Sequence, residues 1–176
     1  TIEHFVGGKS FSGESKRTGK VFNPATGEQS AEVKLASTND INQAVENAKK
    51  AFEPWANTPP LQRARIMFKF KELIEKNSDE LTKIIVSEHG KVYEDARGSL
   101  TRGLEVVEYA CGIPQMLKGE FTENVGTNVD SWSIRQPLGV CAGITPFNFP
   151  AMVPMWMFPM AIACGNTFIL KPSEKD

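Results

Sequence analysis

From Gln136 to Leu170 the chain carries no charged residue, and Pro146-Phe147-Asn148-Phe149-Pro150 sits inside that stretch. The run is long enough for a membrane span, which needs about 20 apolar residues. Its prolines exclude that reading. Pro137, Pro146, Pro150, Pro154 and Pro159 would each remove a helix donor and crowd the preceding turn. Gly139, Gly143 and Gly165 add further breaks. The run divides instead into three pieces. Gly139 to Thr145 reads as a short apolar strand, Pro150 to Cys164 as an apolar helix closed by Gly165-Asn166, and Asn166 to Leu170 as a second strand. Strand, helix, strand predicts an α/β fold with a parallel pair, whose strands are buried on both faces. The run then ends in charge, at Lys171-Pro172-Ser173-Glu174-Lys175-Asp176. An uncharged third implies cover, and little chain follows to supply it, so the sequence is expected to be truncated.

The remaining residues alternate short strands and helices. Gly7-Gly8 between apolar residues signals a hairpin, Asn23-Pro24 and Thr26-Gly27 punctuate a second turn, and Ala31 to Leu35 alternates as a half-buried strand does. Ser37 to Asp40 offers helix-capping chemistry. Ile41, Val45, Ala48 and Phe52 follow at helical spacing, with Pro54 as the expected end. Pro59-Pro60 opens a second helix with Leu61, Ala64, Met67 or Phe68, Leu73 and Ile74 expected inside. Asn77-Ser78 restarts the chain toward Leu81, Ile84 and Ile85, and a fourth helix is expected from about Val92 to Cys111. Val129 to Arg135 reads as an edge or arm strand. Three units are expected: residues 1–118 with hairpins and helices, 119–136 as an arm, and 137–176 as a βαβ unit.

Charge and cysteine content narrow the function. With 20 basic and 21 acidic residues the net charge is -1, so no basic excess points to nucleic acid. Cys111, Cys141 and Cys164 are three, widely spaced, and form neither a metal pattern nor a disulfide framework. A reducing compartment follows. His4 and His89 flank no acid–base motif, and no Ser/His/Asp set assembles.

Three sets of residues can carry chemistry. Asn148 could donate its amide N–H to an oxyanion formed at a carbonyl, or bond backbone in a turn, the commoner use of Asn. Lys171 and Glu174 lie past the second strand, where open α/β sheets bind ligands, and could bond nucleotide ribose hydroxyls or be ordinary surface charges. The phosphate-binding pattern G-x-G-x-x-G is absent, because Gly139 and Gly143 have the wrong spacing. Arg102 could hold a carboxylate by two parallel bonds, although its spacing from Glu105 favours a surface pair.

In order and spacing, Pro146-Phe147-Asn148-Phe149-Pro150, then Gly165-Asn166, then Lys171-Pro172-Ser173-Glu174 resemble the NAD-dependent aldehyde dehydrogenases. Asn23-Pro24-Ala25-Thr26-Gly27 and Arg63-Ala64-Arg65 fit the same family. Phe147, the segment Met155 to Ala163 and the segment Thr101 to Glu108 resemble its CoA-acylating branch. The resemblance implies N-terminal helices plus the first βαβ of a Rossmann-like cofactor domain, NAD as cofactor and CoA as co-substrate. It implies conversion of methylmalonate semialdehyde to propanoyl-CoA, CO2 and NADH, and of malonate semialdehyde to acetyl-CoA.

It further implies that Asn148 serves the oxyanion, and that Thr145 and Phe147 line the nicotinamide side. Lys171 and Glu174 would bind the adenosine ribose with Lys175 near it, and Arg102 would clamp the substrate carboxylate. A homodimer or homotetramer, in bacterial cytoplasm or the mitochondrial matrix, is expected, with no membrane, nucleic-acid or metal site. The family's nucleophilic Cys and general-base Glu match no residue here, so this polypeptide alone is expected to be inactive. An aldehyde dehydrogenase that does not acylate CoA and a non-catalytic interaction module are the competing readings.

Overall fold

A computed structural model describes residues 1–175. Two hairpins open the chain. β1 (His4–Val6) pairs with β2 (Lys9–Phe11), and β3 (Thr18–Phe22) pairs with β4 (Gln29–Lys34), both antiparallel. The first turn is Gly7-Gly8, as the sequence predicts. In the second, the Asn23 side chain accepts from the Ala25 N–H at 2.9 Å, which fixes the turn before Gly27.

Four helices follow. α1 (Thr38–Ala56) starts at a reciprocal cap, with the Asp40 N–H donating to Ser37 Oγ at 3.1 Å and the Ser37 N–H to Asp40 Oδ2 at 2.7 Å. The Glu14 N–H also donates to Asp40 at 2.8 Å, tying the hairpins to the helix. These backbone donors hold the Asp40 carboxyl down at about 2. α2 (Pro60–Lys76), α3 (Ser78–His89) and α4 (Tyr93–Cys111) complete the helical layer, and a short α5 (Ile113–Met116), absent from the sequence reading, caps it.

Pro54 does not end α1, which runs on to Ala56. Tertiary bonds offset its missing donor. The Trp55 indole N–H donates to the Ile162 carbonyl at 2.9 Å, and Arg63 holds the carbonyls of Ala56 and Thr58. Several helix faces are also rotated from expectation. Leu61, Phe68, Leu73, Ile84 and Ile41 are exposed, while Ala64, Met67, Ile74 and Ile85 are buried. α2 packs on α4 and α6 along the Ala64–Met67–Ile74 stripe, which leaves its apolar shoulders outside.

β5 (Phe121–Gly126) and β6 (Val129–Trp132) form a hairpin exposed along both strands. Then come β7 (Val140–Ile144), α6 (Met152–Ala163) and β8 (Thr167–Lys171). β7 and β8 are parallel, in register from Val140 beside Thr167 to Ile144 beside Lys171. α6 starts two residues later than expected and contains Pro154 and Pro159. Pro154 lies in the first turn, where a backbone donor has no helical partner anyway. α6 is apolar on every side, as a buried helix is. It is nevertheless no membrane helix; among the described residues no helix is long and apolar enough to cross one.

α6 ends in a paired C-terminal motif. The Gly165 N–H donates to the Ile162 carbonyl at 2.9 Å and the Asn166 N–H to the Ala161 carbonyl at 3.0 Å. Gly165 takes φ +97°, a conformation that a residue with a side chain adopts only with strain. Asn166 then bridges helix to strand, accepting from the N–H groups of Leu138 (2.6 Å) and Gly139 (3.0 Å) while donating to Ala161.

The core lies between α2, α4 and α6. One cluster joins Ala64, Met67, Ala110, Ile113 and Ala163; another joins Ile74, Ile85, Leu100, Val107 and Met155. Each large apolar side chain so buried contributes about 1.5–3 kcal/mol. Gly103 lets α4 approach α6, since a Cβ there would lie 2.4 Å from Met155 Cε and 3.2 Å from Met152 Cα. The expected burial of both strand faces is met only in part. α1 and α6 pack against β7 and β8, yet Ala142 is exposed and Ile144 is 76% exposed.

Candidate active site

Parallel pairing puts the carboxyl ends of β7 and β8 side by side. The Thr145 N–H donates to the Lys171 carbonyl at 3.1 Å, so the segments that leave the two strands start from one point. Open α/β sheets bind ligands at such ends. Thr145 is 5% exposed, and its hydroxyl has no hydrogen-bond partner among the described residues. A buried hydroxyl left unpaired is costly, which makes this hydroxyl available to a group that enters the strand ends.

The segment after β7 turns at Phe147-Asn148 before α6 begins. Asn148 is exposed, and its amide makes no hydrogen bond to the described residues. Its neighbours are held firmly. Phe147 stacks on His89, with ring centroids 6.3 Å apart and planes at 22°. The Lys175 ammonium stands 5.0 Å from the Phe147 centroid, joining the two strand-end segments. Phe149 carries the Lys91 ammonium 3.7 Å from its centroid and the Arg102 guanidinium at 6.0 Å.

Arg102 departs from the local pairing suggested by its spacing. Its Nε donates to Met152 Sδ at 3.4 Å and its Nη2 lies 3.5 Å from Ser99 Oγ, so it turns toward the start of α6 rather than to Glu105. The close α4–α6 approach at Gly103 brings this about. Beside it opens a cleft of about 340 Å³ lined by Lys91, Glu94, Asp95, Ser99, Arg102 and Phe149.

At the end of β8 the Lys171 ammonium and the Glu174 carboxylate pair with each other at 2.6 Å, both about half exposed. That bond holds the Glu174 carboxyl below the usual carboxylate range. The Lys175 N–H donates to Ser173 Oγ at 3.0 Å and shapes the turn that follows. Of the seven sequence candidates, Thr145, Phe147, Lys171, Glu174 and Lys175 stand at or just past the two strand ends, Asn148 follows Phe147 in the turn, and Arg102 approaches Phe149 from α4.

The thiols stand apart from this arrangement. Burial pushes the Cys111 and Cys164 thiols up, so they remain protonated and unreactive. Among the described residues no group of three or more His, Cys, Asp or Glu could hold a metal ion.

Sequence reasoning passed over three residues that shape the site. His89 and Lys91 reach the aromatic pair from the α3–α4 junction, and no sequence spacing links them to Phe147 or Phe149. Arg63 is 4% exposed, and its Nε donates to the Ala163 carbonyl at 2.9 Å. It braces the helix that β8 follows. Burial lowers its pKa, and three carbonyl partners make that burial tolerable. An arginine on the inward stripe of α2, beside Ala64, was the available signal.

Known proteins resemble this chain in sequence and fold. The chain is 54% identical to malonate-semialdehyde dehydrogenase of Pseudomonas aeruginosa over its full length, covering 35% of that protein. It is 53% identical to the mitochondrial acylating methylmalonate-semialdehyde dehydrogenase of Arabidopsis thaliana, with 99% of this chain and 29% of that protein covered. Its fold superposes on the crystal structure of methylmalonate-semialdehyde dehydrogenase from Oceanimonas doudoroffii with a TM-score of 0.97 at 59% identity, across 100% of this chain and 36% of that one. A Sinorhizobium meliloti 1021 structure complexed with NAD gives a TM-score of 0.97 at 55% identity, across 99% and 36%. The chain therefore spans about a third of the length of these relatives. The aldehyde dehydrogenase family pattern matches residues 11–176, and the chain belongs to the aldehyde dehydrogenase family.

Proposed function

We propose that this chain supplies the cofactor side of an NAD-dependent, CoA-acylating semialdehyde dehydrogenase. The reaction converts methylmalonate semialdehyde, NAD and CoA to propanoyl-CoA, CO2 and NADH; malonate semialdehyde gives acetyl-CoA. The observation that carries this reading is the cleft beside Phe149. There the Arg102 guanidinium, a group suited to a carboxylate, lies 6.0 Å from the ring of Phe149, the residue that follows Asn148. The relatives named above support the substrate class.

Each residue then has a role. Arg102 binds the carboxylate of the semialdehyde and orients its aldehyde carbon. Phe149 forms an apolar wall that excludes water. The Asn148 side-chain N–H donates to the oxygen that gains negative charge when a nucleophile adds to the carbonyl. The residues at the strand ends fit NAD. The unpaired buried Thr145 hydroxyl and the Phe147 ring would face the nicotinamide side, while Lys171, a donor, and Glu174, an acceptor, would suit two ribose hydroxyls, with Lys175 beside them. When bound, NAD supplies the hydride acceptor. The reaction also needs a nucleophilic Cys and a general-base Glu, roles that this reading assigns to none of residues 1–176, and a polypeptide of these residues alone is expected not to turn over. The exposed hairpin β5–β6, with Phe121, Val125, Val129 and Trp132 uncovered, serves as an oligomerisation arm. A reducing compartment, bacterial cytoplasm or mitochondrial matrix, suits three free thiols.

The test is product identity in the complete enzyme supplied with NAD. Propanoyl-CoA must form only when CoA is present; equal turnover to the free acid without CoA overturns the reading. Arg102→Leu raises KM about 10- to 100-fold for carboxylate-bearing aldehydes, matching the loss of a charge-assisted hydrogen bond, and leaves propanal nearly unchanged. An equal effect on both removes Arg102 from the substrate.

A further inference from the structure

The exposed Asn148 amide makes no hydrogen bond to the described residues, and the residues on either side of it in the chain are the rings Phe147 and Phe149. Both rings are gripped by one short junction. His89, the last residue of α3, lies under Phe147, and Lys91, two residues later, lies over Phe149. The junction is itself fixed. Gly90 sits between them at φ +79°, where a Cβ would come within 2.7 Å of Pro24 Cγ. Neither ring nitrogen of His89 has a hydrogen-bond partner, and both are buried. The imidazole therefore acts as a flat packing surface. Lys175 on Phe147 and Arg102 on Phe149 complete the set of cations around the two rings.

We propose that His89 and Lys91 are positioning residues for Asn148: the α3–α4 junction clamps Phe147 and Phe149 and so aims the amide between them. This rests on the reading of Asn148 as the oxyanion donor. Lys91 also lines the cleft beside Arg102. Direct contact with the substrate carboxylate is therefore the rival role that the test must separate.

The test uses the complete enzyme with methylmalonate semialdehyde and with propanal, and measures kcat and KM for each. Lys91→Met should lower kcat about 5- to 30-fold on both aldehydes, as the loss of a close cation–ring contact predicts, with KM within twofold. Lys91→Arg should restore most of that loss. Phe149→Leu, which removes the ring instead of the cation, should lower kcat similarly, and adding Lys91→Met to it should cost little more. His89→Ala should behave as Lys91→Met does, and His89→Phe, which keeps a stacking ring, should recover most of the rate. The deciding measurement repeats Lys91→Met in an Asn148→Ala background, where kcat should change less than twofold because the amide it aims is gone. A full loss in that background, or a loss confined to KM for the carboxylate-bearing aldehyde, overturns the proposal. If Asn148→Ala alone leaves kcat intact, the oxyanion reading fails and the clamp falls with it. If Asn148→Ala is slow but Lys91→Met is not, only the clamp fails.

Discussion

Replacing Asn148 with Ala separates catalysis from stability more cleanly than any other change in this chain. The amide is exposed and makes no hydrogen bond to the described residues, so its removal breaks no bond that holds the fold. An exposed substitution of this kind shifts stability by about 0.5 kcal/mol or less. The rings that shape the turn, Phe147 and Phe149, keep their partners His89 and Lys91. If Asn148 serves the oxyanion as proposed, the substitution removes a donor worth about 2.7–4 kcal/mol, which is a 100- to 1000-fold fall in kcat. NADH formation by the complete enzyme under saturating substrate reads the rate, and a urea melt of the same sample reads stability. KM for NAD should stay within twofold, because Lys171 and Glu174 are untouched. Asn148→Asp should be at least as slow, since it places a negative charge where one is forming. A kcat within threefold of wild type refutes the donor role. A stability loss above about 1 kcal/mol refutes the premise that the amide carries no structural bond.

Three further outcomes follow from the packing. Arg63→Met leaves the carbonyls of Ala163, Ala56 and Thr58 without their donor and should cost about 3 kcal/mol or more in a urea melt; a loss under 1 kcal/mol would mean water replaces the guanidinium freely. Gly103→Ala gains about 1 kcal/mol of helix propensity but drives a Cβ to 3.2 Å from the Met152 backbone, so a net loss of about 1–2 kcal/mol is expected and a net gain would show that α4 and α6 can part. Asp40 is held at about 2 in the folded chain against 3.8 when free, so its contribution is complete above pH 4 and disappears as pH falls through 2. The stability difference between wild type and Asp40→Asn should be flat above pH 5 and shrink below pH 4. A difference unchanged at pH 2 would contradict the capping role.

The sequence was informative wherever pattern and punctuation agreed. Gly7-Gly8, the Ser37–Asp40 cap and Gly165-Asn166 each do locally what their chemistry predicts, and the uncharged run resolves into strand, helix and strand. Failures occur where a distant contact decides. Pro54 stays inside α1 because Trp55 and Arg63 supply bonds across the fold. Leu61, Phe68 and Leu73 stay outside because α4 and α6 select the Ala64–Met67–Ile74 stripe among two apolar sides of one helix. Arg102 bonds Met152, fifty positions away, where its spacing suggests Glu105. Spacing along a chain cannot report such neighbours.

The same division runs through the active site. The residues legible in the sequence, Asn148, Lys171 and Glu174, lie at the ends of two strands, where function needs particular polar groups and the surrounding apolar run makes them conspicuous. The residues that hold them, His89, Lys91 and Arg63, lie on or beside helices among many other charges and stand out only once the helices are packed. A charged residue on a helix is ordinary by composition. Over a ring or beneath a helix end it becomes the support that fixes where the reactive groups point. In the proposed reading the motif supplies the chemistry, and the helical layer aims it. Changes in the helical layer should therefore act mainly on kcat through geometry, leaving the affinity for NAD largely to the strand ends.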